Sequence, residues 1–212
     1  MRLFIVRHGE TAWNRAGRFQ GRMDIPLNEN GLAQAVLTAK RFSGFKFDAV
    51  LSSPLSRARV TGEKIYDEAD CGTFITDDGF MEISHGDWEG HLRPDVESRW
   101  PDILDQWLNA PEICKMPGAG GESLADVTAR AVEAVERIAF DYSGDVMLAT
   151  HDAVAKTLIC YYVGIPLENY WRIKVPNCSV SFIEFGKSPQ LGLLGDVSHL
   201  GCGFDTFASK SL

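Results

Sequence analysis

No stretch constrains this chain more than Leu3-Phe4-Ile5-Val6, followed at once by Arg7-His8-Gly9. Four apolar residues in a row, three of them aromatic or β-branched, predict a strand buried on both faces. The run stops abruptly at a cation and an imidazole. Open α/β sheets place their ligand sites at the C-terminal ends of buried parallel strands. Arg7 and His8 at such an end suit an anion, most commonly a phosphate, and Gly9 lets the backbone bend closely around it. Two polar residues alone would read better as the surface end of a strand. The rest of the chain decides between the two.

The same alternation of strand and helix recurs along the sequence. Short strands are predicted at 47–51, near 73–75, at 145–150, near 180–185 and at 191–194. A helix opens at Asn30-Gly31, with Leu32, Ala35, Val36, Ala39 and Phe42 on its buried face. A second starts after Ser53-Pro54 and carries Arg57 in its first turn. A third starts at the capping pair Ser123 and Asp126 and runs through Leu124, Val127, Ala131, Val135 and Ile138. The segment at 145–150 ends in another histidine, His151, and a helix follows it. Residues 12–30, rich in arginine, amide and glycine, are expected as an ordered loop that could wall an anion pocket. Residues 94–109 show helical spacing broken by Pro101, and the last ten or so residues look like a loose tail. With no internal repeat or dividing linker, 1–212 is predicted as one α/β domain. It has a mostly parallel central sheet between helical layers and a short helical cap at about 85–120.

Composition narrows the function. The apolar share of 45% is enough for a sizeable core, and the net charge of −8 excludes a broad basic face for nucleic acid or acidic membranes. A small anion would have to be captured by a local cationic pocket. Cys71, Cys114, Cys160, Cys178 and Cys202 are odd in number and dispersed. They form neither a disulfide framework nor a zinc site, and are expected as reduced, mostly buried thiols of a cytoplasmic protein. The N-terminus has no secretory apolar region, and no run approaches the roughly 18 apolar residues of a membrane span.

Four blocks then answer to one pattern: Arg7-His8-Gly9-Glu10-Thr11 with Asn14 and Gln20-Gly21; Ser52-Ser53-Pro54-Leu55-Ser56-Arg57-Ala58; Glu82 with Gly86-Asp87-Trp88-Glu89-Gly90; and His151 at a strand's end. The set resembles the histidine phosphatase, or phosphoglycerate-mutase-like, superfamily over nearly the whole chain. The Gly86–Gly90 block, Lys156 and the late Gly195-Asp196-Val197-Ser198-His199 run are most similar to its small broad-specificity phosphatases. The chemistry is also arguable from the residues: two arginines can fork a dianion, and a neutral histidine is a nucleophile at physiological pH. The resemblance implies that His8 is the nucleophile and passes through a phosphohistidine. It implies that Arg7, Arg57 and His151 hold the phosphoryl oxygens, with Asn14, Gln20 and Gly21 as further substrate contacts. Glu82 would be the general acid and then the base for water, its pKa raised by burial and the dianion. No metal and no cofactor are implied. The partner is a small phosphorylated metabolite, and the chain is free to act alone or as a homodimer.

Some residues depart from the pattern. Asp152 stands where many relatives have glycine, and is expected to turn away or pair with Lys156. Lys156 itself stands where relatives often carry arginine, so a second anionic group would be held less well. His85, His91 and His199 are read as surface or structural, and the tryptophans Trp88, Trp100 and Trp107 mainly as packing residues, one or two of them lining the pocket. Among competing functions, a metal hydrolase using His8, Glu10, His151 and Asp152 is opposed by Arg7 and Arg57, which would repel the cation. A binding protein on the same fold would be expected to lack His8 or Glu82. A cofactor-dependent phosphoglycerate mutase shares the core, but Ile83–Gly90 replaces the block such mutases carry after the glutamate, which favours water as acceptor.

Overall fold

The opening apolar run forms β1 (Arg2–Arg7), an interior strand of a six-stranded sheet, in a computed structural model that describes residues 1–201. Leu3 and Ile5 pack into the core on one face of the sheet, and Phe4 and Val6 into a second core on the other. Each such side chain taken out of water contributes about 1.5–3 kcal/mol, so a strand buried on both sides is firmly placed. The first half of the chain continues with α1 (Ala12–Ala16), α2 (Glu29–Arg41), β2 (Lys46–Phe47), β3 (Ala49–Ser52), α3 (Ser56–Glu68), β4 (Asp70–Cys71) and β5 (Phe74–Thr76). The second half holds α4 (Arg93–Arg99), α5 (Pro101–Asn109), α6 (Leu124–Ile138), β6 (Val146–Thr150), α7 (Asp152–Val163), β7 (Val180–Glu184) and β8 (Gln190–Asp196).

The strand order is β5-β3-β6-β1-β7-β8. β5, β3, β6 and β1 run parallel, and β7 is antiparallel to both β1 and β8. Side chains of α2 and α3 cover the face bearing Phe4 and Val6, and those of α6 and α7 the face bearing Leu3 and Ile5. The fold is the mostly parallel sheet between helical layers that the strand–helix alternation predicts. Register matters most for function: Arg7 pairs with Thr150, and Ser52 with Ala149 on the other side of β6. The C-terminal ends of β1, β6 and β3 therefore lie side by side, and the residues just beyond them must meet. Trp88, Val96, Leu104 and Trp107, from the segment between β5 and α6, belong to the same core as Leu3 and Ile5.

Local structure departs from the sequence reading in several places. The loop at 12–30 contains α1, started by Thr11, whose hydroxyl accepts from the Asn14 amide in a capping box. Five residues are too few to show a helical period. α2 begins at Glu29 because Asn28 caps it through Gly31 N, and its Leu32 and Val36 face solvent while Ala35, Ala39 and Phe42 are buried. The strand read at 47–51 is two pieces, β2 pairing with β4 and β3 within the main sheet. α3 starts at Ser56, after Pro54, because Ser53 is turned to the site instead of capping the helix. Cys71, Cys114, Cys160 and Cys178 are free thiols, and burial pushes all four up to about 11 or 12. Cys202 and the loose tail fall outside the described residues. Among the described residues, no helix is long and apolar enough to cross a membrane.

Candidate active site

His8 and His151 follow directly on β1 and β6, and His8 N extends the ladder by donating to Thr150 O at 2.9 Å. Their rings stand 5.1 Å apart, centroid to centroid. His8 Nδ1 lies 2.7 Å from Gly9 O. A carbonyl can only accept, so Nδ1 carries the proton and Nε2 keeps a free lone pair. Burial, reinforced by Arg57 and Arg7, holds the His8 pKa well below its usual value, so the ring is neutral. That is the protonation state a nucleophile requires. The tight turn behind it depends on Gly9, where a Cβ would stand 2.5 Å from Gly31 O.

His151 is neutral for the same reasons, burial first and then Arg57. Its Nε2 sits 2.8 Å from Ser53 Oγ, and that oxygen also accepts from Leu55 N. The hydroxyl hydrogen is thus free for His151 Nε2, which leaves the ring proton on Nδ1 as a donor. His151 Nδ1 is buried with no partner in the protein. Arg7 donates through Nη1 to Asp152 Oδ1 and Val175 O, and Arg57 through Nη1 and Nη2 to Met23 O and Gly21 O. In both arginines the Nε–H is buried and unpartnered. Burial lowers Arg57 to about 10, still far above neutrality, so it remains cationic. Two buried cations and a buried imidazole donor, all with unspent hydrogens, form a site chemically matched to a tetrahedral dianion.

Glu82 stands over this floor. Its Oε1 accepts from Ile83 N at 2.9 Å and from Ala153 N at 3.2 Å, at the start of α7. Oε2 is left to carry a proton. Burial, followed by repulsion from Asp152, raises the Glu82 pKa against the opposing pull of Ile83 N and the two arginines. Asn14, Gln20 and Gly21 close the near side of the same cavity. The Asn14 and Gln20 carbonyl oxygens are tied to Thr11, which fixes both side chains. At Gly21, φ is +51° and a Cβ would collide with the Glu89 carboxylate at 2.0 Å, so only glycine brings this loop in. The structure thus gathers Arg7, His8, Asn14, Gln20, Gly21, Arg57 and Glu82 around one cavity of about 60 Å3, with His151 in the floor beside His8.

Around these residues the structure bears out some sequence readings and adds neighbours that had none. Of the two readings of His85, surface or structural, the structure bears out the structural one. The ring is buried against Phe19, Trp88 and Trp107, lines the cavity, and burial lowers it to about 4. Asp152 does pair with Lys156, at 2.8 Å, and is shared with Arg7 and the Tyr170 hydroxyl. Lys156 is not positioned to hold a second substrate anion, because it is buried between Asp152 and the rings of Tyr170 and Trp171, 4.6 and 4.9 Å away. Tyr170 lines the cavity and carried no motif; only its position after an apolar helix hinted at burial. Of the tryptophans, Trp107 lines the cavity and Trp88 is entirely internal. Trp100 packs beside His91 away from the cavity, whereas Trp13 sits at its rim. Among the described residues, no three His, Cys, Asp or Glu side chains are arranged to hold a metal ion.

The model of the histidine phosphatase superfamily (branch 1) matches residues 3–194. Phosphoserine phosphatase 1 of Hydrogenobacter thermophilus is 34% identical over 203 residues, covering 95% of each chain. A probable phosphoglycerate mutase, GpmB of Yersinia pestis, is 32% identical, covering 94% of this chain and 95% of its own. The solved structure of Bacillus stearothermophilus YhfR superposes with a TM-score of 0.86 at 33% identity, covering 94% of this chain and 98% of that one. On the family match and these relatives, the chain belongs to the histidine phosphatase superfamily and is a phosphomonoesterase of that family.

Proposed function

We propose that this protein hydrolyses small phosphate monoesters in the cytoplasm, without a metal, through a phosphohistidine at His8. The observation that carries the reading is the fixed tautomer of His8, which leaves Nε2 free in a cavity also lined by two arginines whose Nε–H groups have no protein partner. The ester's phosphoryl group is bound by Arg7, Arg57 and His151 Nδ1, with Asn14, Gln20 and Gly21 on the near side. His8 Nε2 attacks phosphorus in line as the bond to the ester oxygen breaks, and Glu82 gives its proton to that oxygen. The alcohol leaves. Glu82, now a carboxylate, takes a proton from water, whose oxygen attacks phosphorus and breaks the P–N bond. Inorganic phosphate departs, and both residues regain their starting forms. Such transfer depends mainly on positioning and charge stabilisation, which this floor supplies.

The cavity of about 60 Å3 is far smaller than the roughly 300–1,000 Å3 of drug-sized ligand sites, which supports a small metabolite as the substrate. Four free, buried or half-buried thiols support a reducing compartment. The test is phosphate release from p-nitrophenyl phosphate, phosphoserine, glycerol 2-phosphate and 3-phosphoglycerate under excess EDTA, with acid-stable trapping excluded and base-stable phosphoenzyme collected. Release that survives chelation, with a base-stable phosphoenzyme lost in His8→Ala, is expected. Release abolished by EDTA would overturn the mechanism. Isomerisation of 3-phosphoglycerate on adding 2,3-bisphosphoglycerate, without release, would assign the mutase reaction instead.

A further inference from the structure

Glu82 sits on a bend between β5 and α6 that belongs to no strand, and its backbone must be held by something else. Buried carbonyls outside regular structure need named partners. Four consecutive carbonyls here, buried or part-buried and running from a short 3-10 turn at 78–80 into irregular chain, are taken by side chains. Thr150 Oγ1 donates to Phe80 O at 2.9 Å. Arg130, on α6, donates to Gly79 O at 2.8 Å, Met81 O at 2.6 Å and Glu82 O at 3.1 Å. The remaining Arg130 hydrogens go to Glu122, Nε to Oε1 at 2.9 Å and Nη2 to Oε2 at 3.0 Å. All five donors of the guanidinium are spent, none of them on the cavity. Glu122 in turn accepts from Ser84 N at 2.8 Å and from Arg22 at 2.9 Å, while its own amide donates to Ser84 O. The segment 79–84 is thus clamped at both ends by one ion pair.

We propose that Arg130, oriented by Glu122, is a positioning residue that sets the height and direction of Glu82 over the phosphoryl floor. The inference rests on the general-acid reading of Glu82 and deepens it. The planar fork reaches three carbonyls and a carboxylate at once, a pattern that lysine, with three donors at a single point, cannot reproduce. Releasing the clamp lets Glu82 lose its in-line relation to the leaving oxygen, and displacement of about 1 Å can cost on the order of 100-fold in rate. The hydrogen bonds that hold the floor, to Gly9 O, Ser53, Asp152, Val175 O, Gly21 O and Met23 O, involve neither Arg130 nor Glu122.

The experiment compares Arg130→Met, Arg130→Lys, Glu122→Gln and Glu82→Gln on p-nitrophenyl phosphate and on whichever of phosphoserine and glycerol 2-phosphate is turned over faster. Phenolate leaves without much help from a proton, whereas an alkoxide needs one. Arg130→Met is expected to lower kcat on the alkyl ester by about 100-fold and on the aryl ester by less than about 10-fold, within the span that general acid catalysis commands. Arg130→Lys is expected to fall between wild type and Arg130→Met, and Glu122→Gln to move the ester ratio the same way. Inhibition by orthovanadate is expected to be unchanged in all three. Added to Glu82→Gln, Arg130→Met is expected to cost nothing further on the alkyl ester. Equal losses on both esters, or full additivity with Glu82→Gln, would overturn the positioning role. Should Arg130→Met fail to fold, the ester ratio in Arg130→Lys and Glu122→Gln decides, and an unchanged ratio there overturns the proposal. Equal losses on both esters in Glu82→Gln itself would instead remove the general-acid reading.

Discussion

The floor of the cavity hangs from three adjacent strand ends, whereas the wall above it hangs from side chains. His8, His151 and Ser53 each follow the last residue of β1, β6 and β3, and the ladder that aligns those strands aligns them too. The hydrogen-bonded sheet sets the backbone of those three positions, and Arg7 and Arg57 are then aimed by Asp152, Val175 O, Gly21 O and Met23 O. Glu82 and His85, by contrast, lie on a stretch with almost no regular backbone pairing, held by Arg130, Glu122 and Thr150. A sheet-borne site should tolerate loss of a reacting group with its shape intact. A site held by side chains should lose shape and tuning together. The sharpest way to break this contrast is His8→Ala. Turnover is expected to drop by on the order of 10⁴-fold or more, since no neighbouring group replaces the nucleophile. Orthovanadate affinity and the circular dichroism spectrum should stay close to wild type, because Arg7, Arg57 and His151 remain in place. A collapse of affinity alongside turnover would mean that the floor's shape depends on His8 itself.

The carboxylate that links floor and wall should respond differently. Asp152 stands between Arg7 and Lys156, both buried, and it is the second cause of the raised Glu82 pKa after burial itself. Removing its charge leaves two cations without their carboxylate, and breaking a buried pair from one side costs about 3 kcal/mol or more. Asp152→Asn is therefore expected to lower the urea unfolding midpoint clearly. It should also move the pH profile. On the proposed mechanism Glu82 must be protonated for the first step, so activity on alkyl esters is expected to fall as pH rises through its pKa. Without Asp152 that pKa drops, and the basic limb of kcat shifts to lower pH. Adding Lys156→Met should recover much of the stability, since one orphan cation disappears, but should leave the limb shifted. Recovery of both together would show that the pH effect came from distortion and not from charge.

These two regions also differ in how far they could be read from the amino-acid order. β1, β6 and the helices behind them announce themselves through unbroken apolar runs and capping residues, because burial on both faces leaves no other pattern available. Residues at their ends are then placed by topology, which is why Arg7, His8 and His151 stood out. Glu82 was legible only through resemblance, since its loop has no period. Arg130 and Glu122 were not legible at all: an arginine on a helix whose opposite face is buried looks like any solvated charge. Lys156 was legible in part: its pairing with Asp152, one helical turn away, was expected, but the rings of Tyr170 and Trp171 that enclose it come from a separate segment. Likewise Leu32 and Val36 fit the apolar stripe of α2 yet face outward, because the buried side of that helix is narrowed to small residues by the close approach of Gly31 to Glu10 O.

The smallest expected effect concerns His85, the histidine that belongs to the wall by packing and not by chemistry. It is buried among Phe19, Trp88 and Trp107, and burial, the largest cause, lowers it from 6.5 to about 4. Between those two values the unfolded chain binds a proton that the folded chain refuses, so stability is full above pH 6.5 and is lost as pH falls towards 4. The difference corresponds to about 3 kcal/mol over that range, or close to 1.4 kcal/mol per pH unit from this one ring. His8 and His151, also held neutral, add losses of the same sign. A phenylalanine fits the aromatic surroundings of His85 and binds no proton. His85→Phe is therefore expected to flatten the fall in unfolding free energy between pH 6.5 and 4.5 by about one proton's worth, with little change at pH 8. The check is a series of urea titrations across that range. An unchanged slope would mean that His85 takes up its proton in the folded state, and that the aromatic wall is open enough for water to reach it.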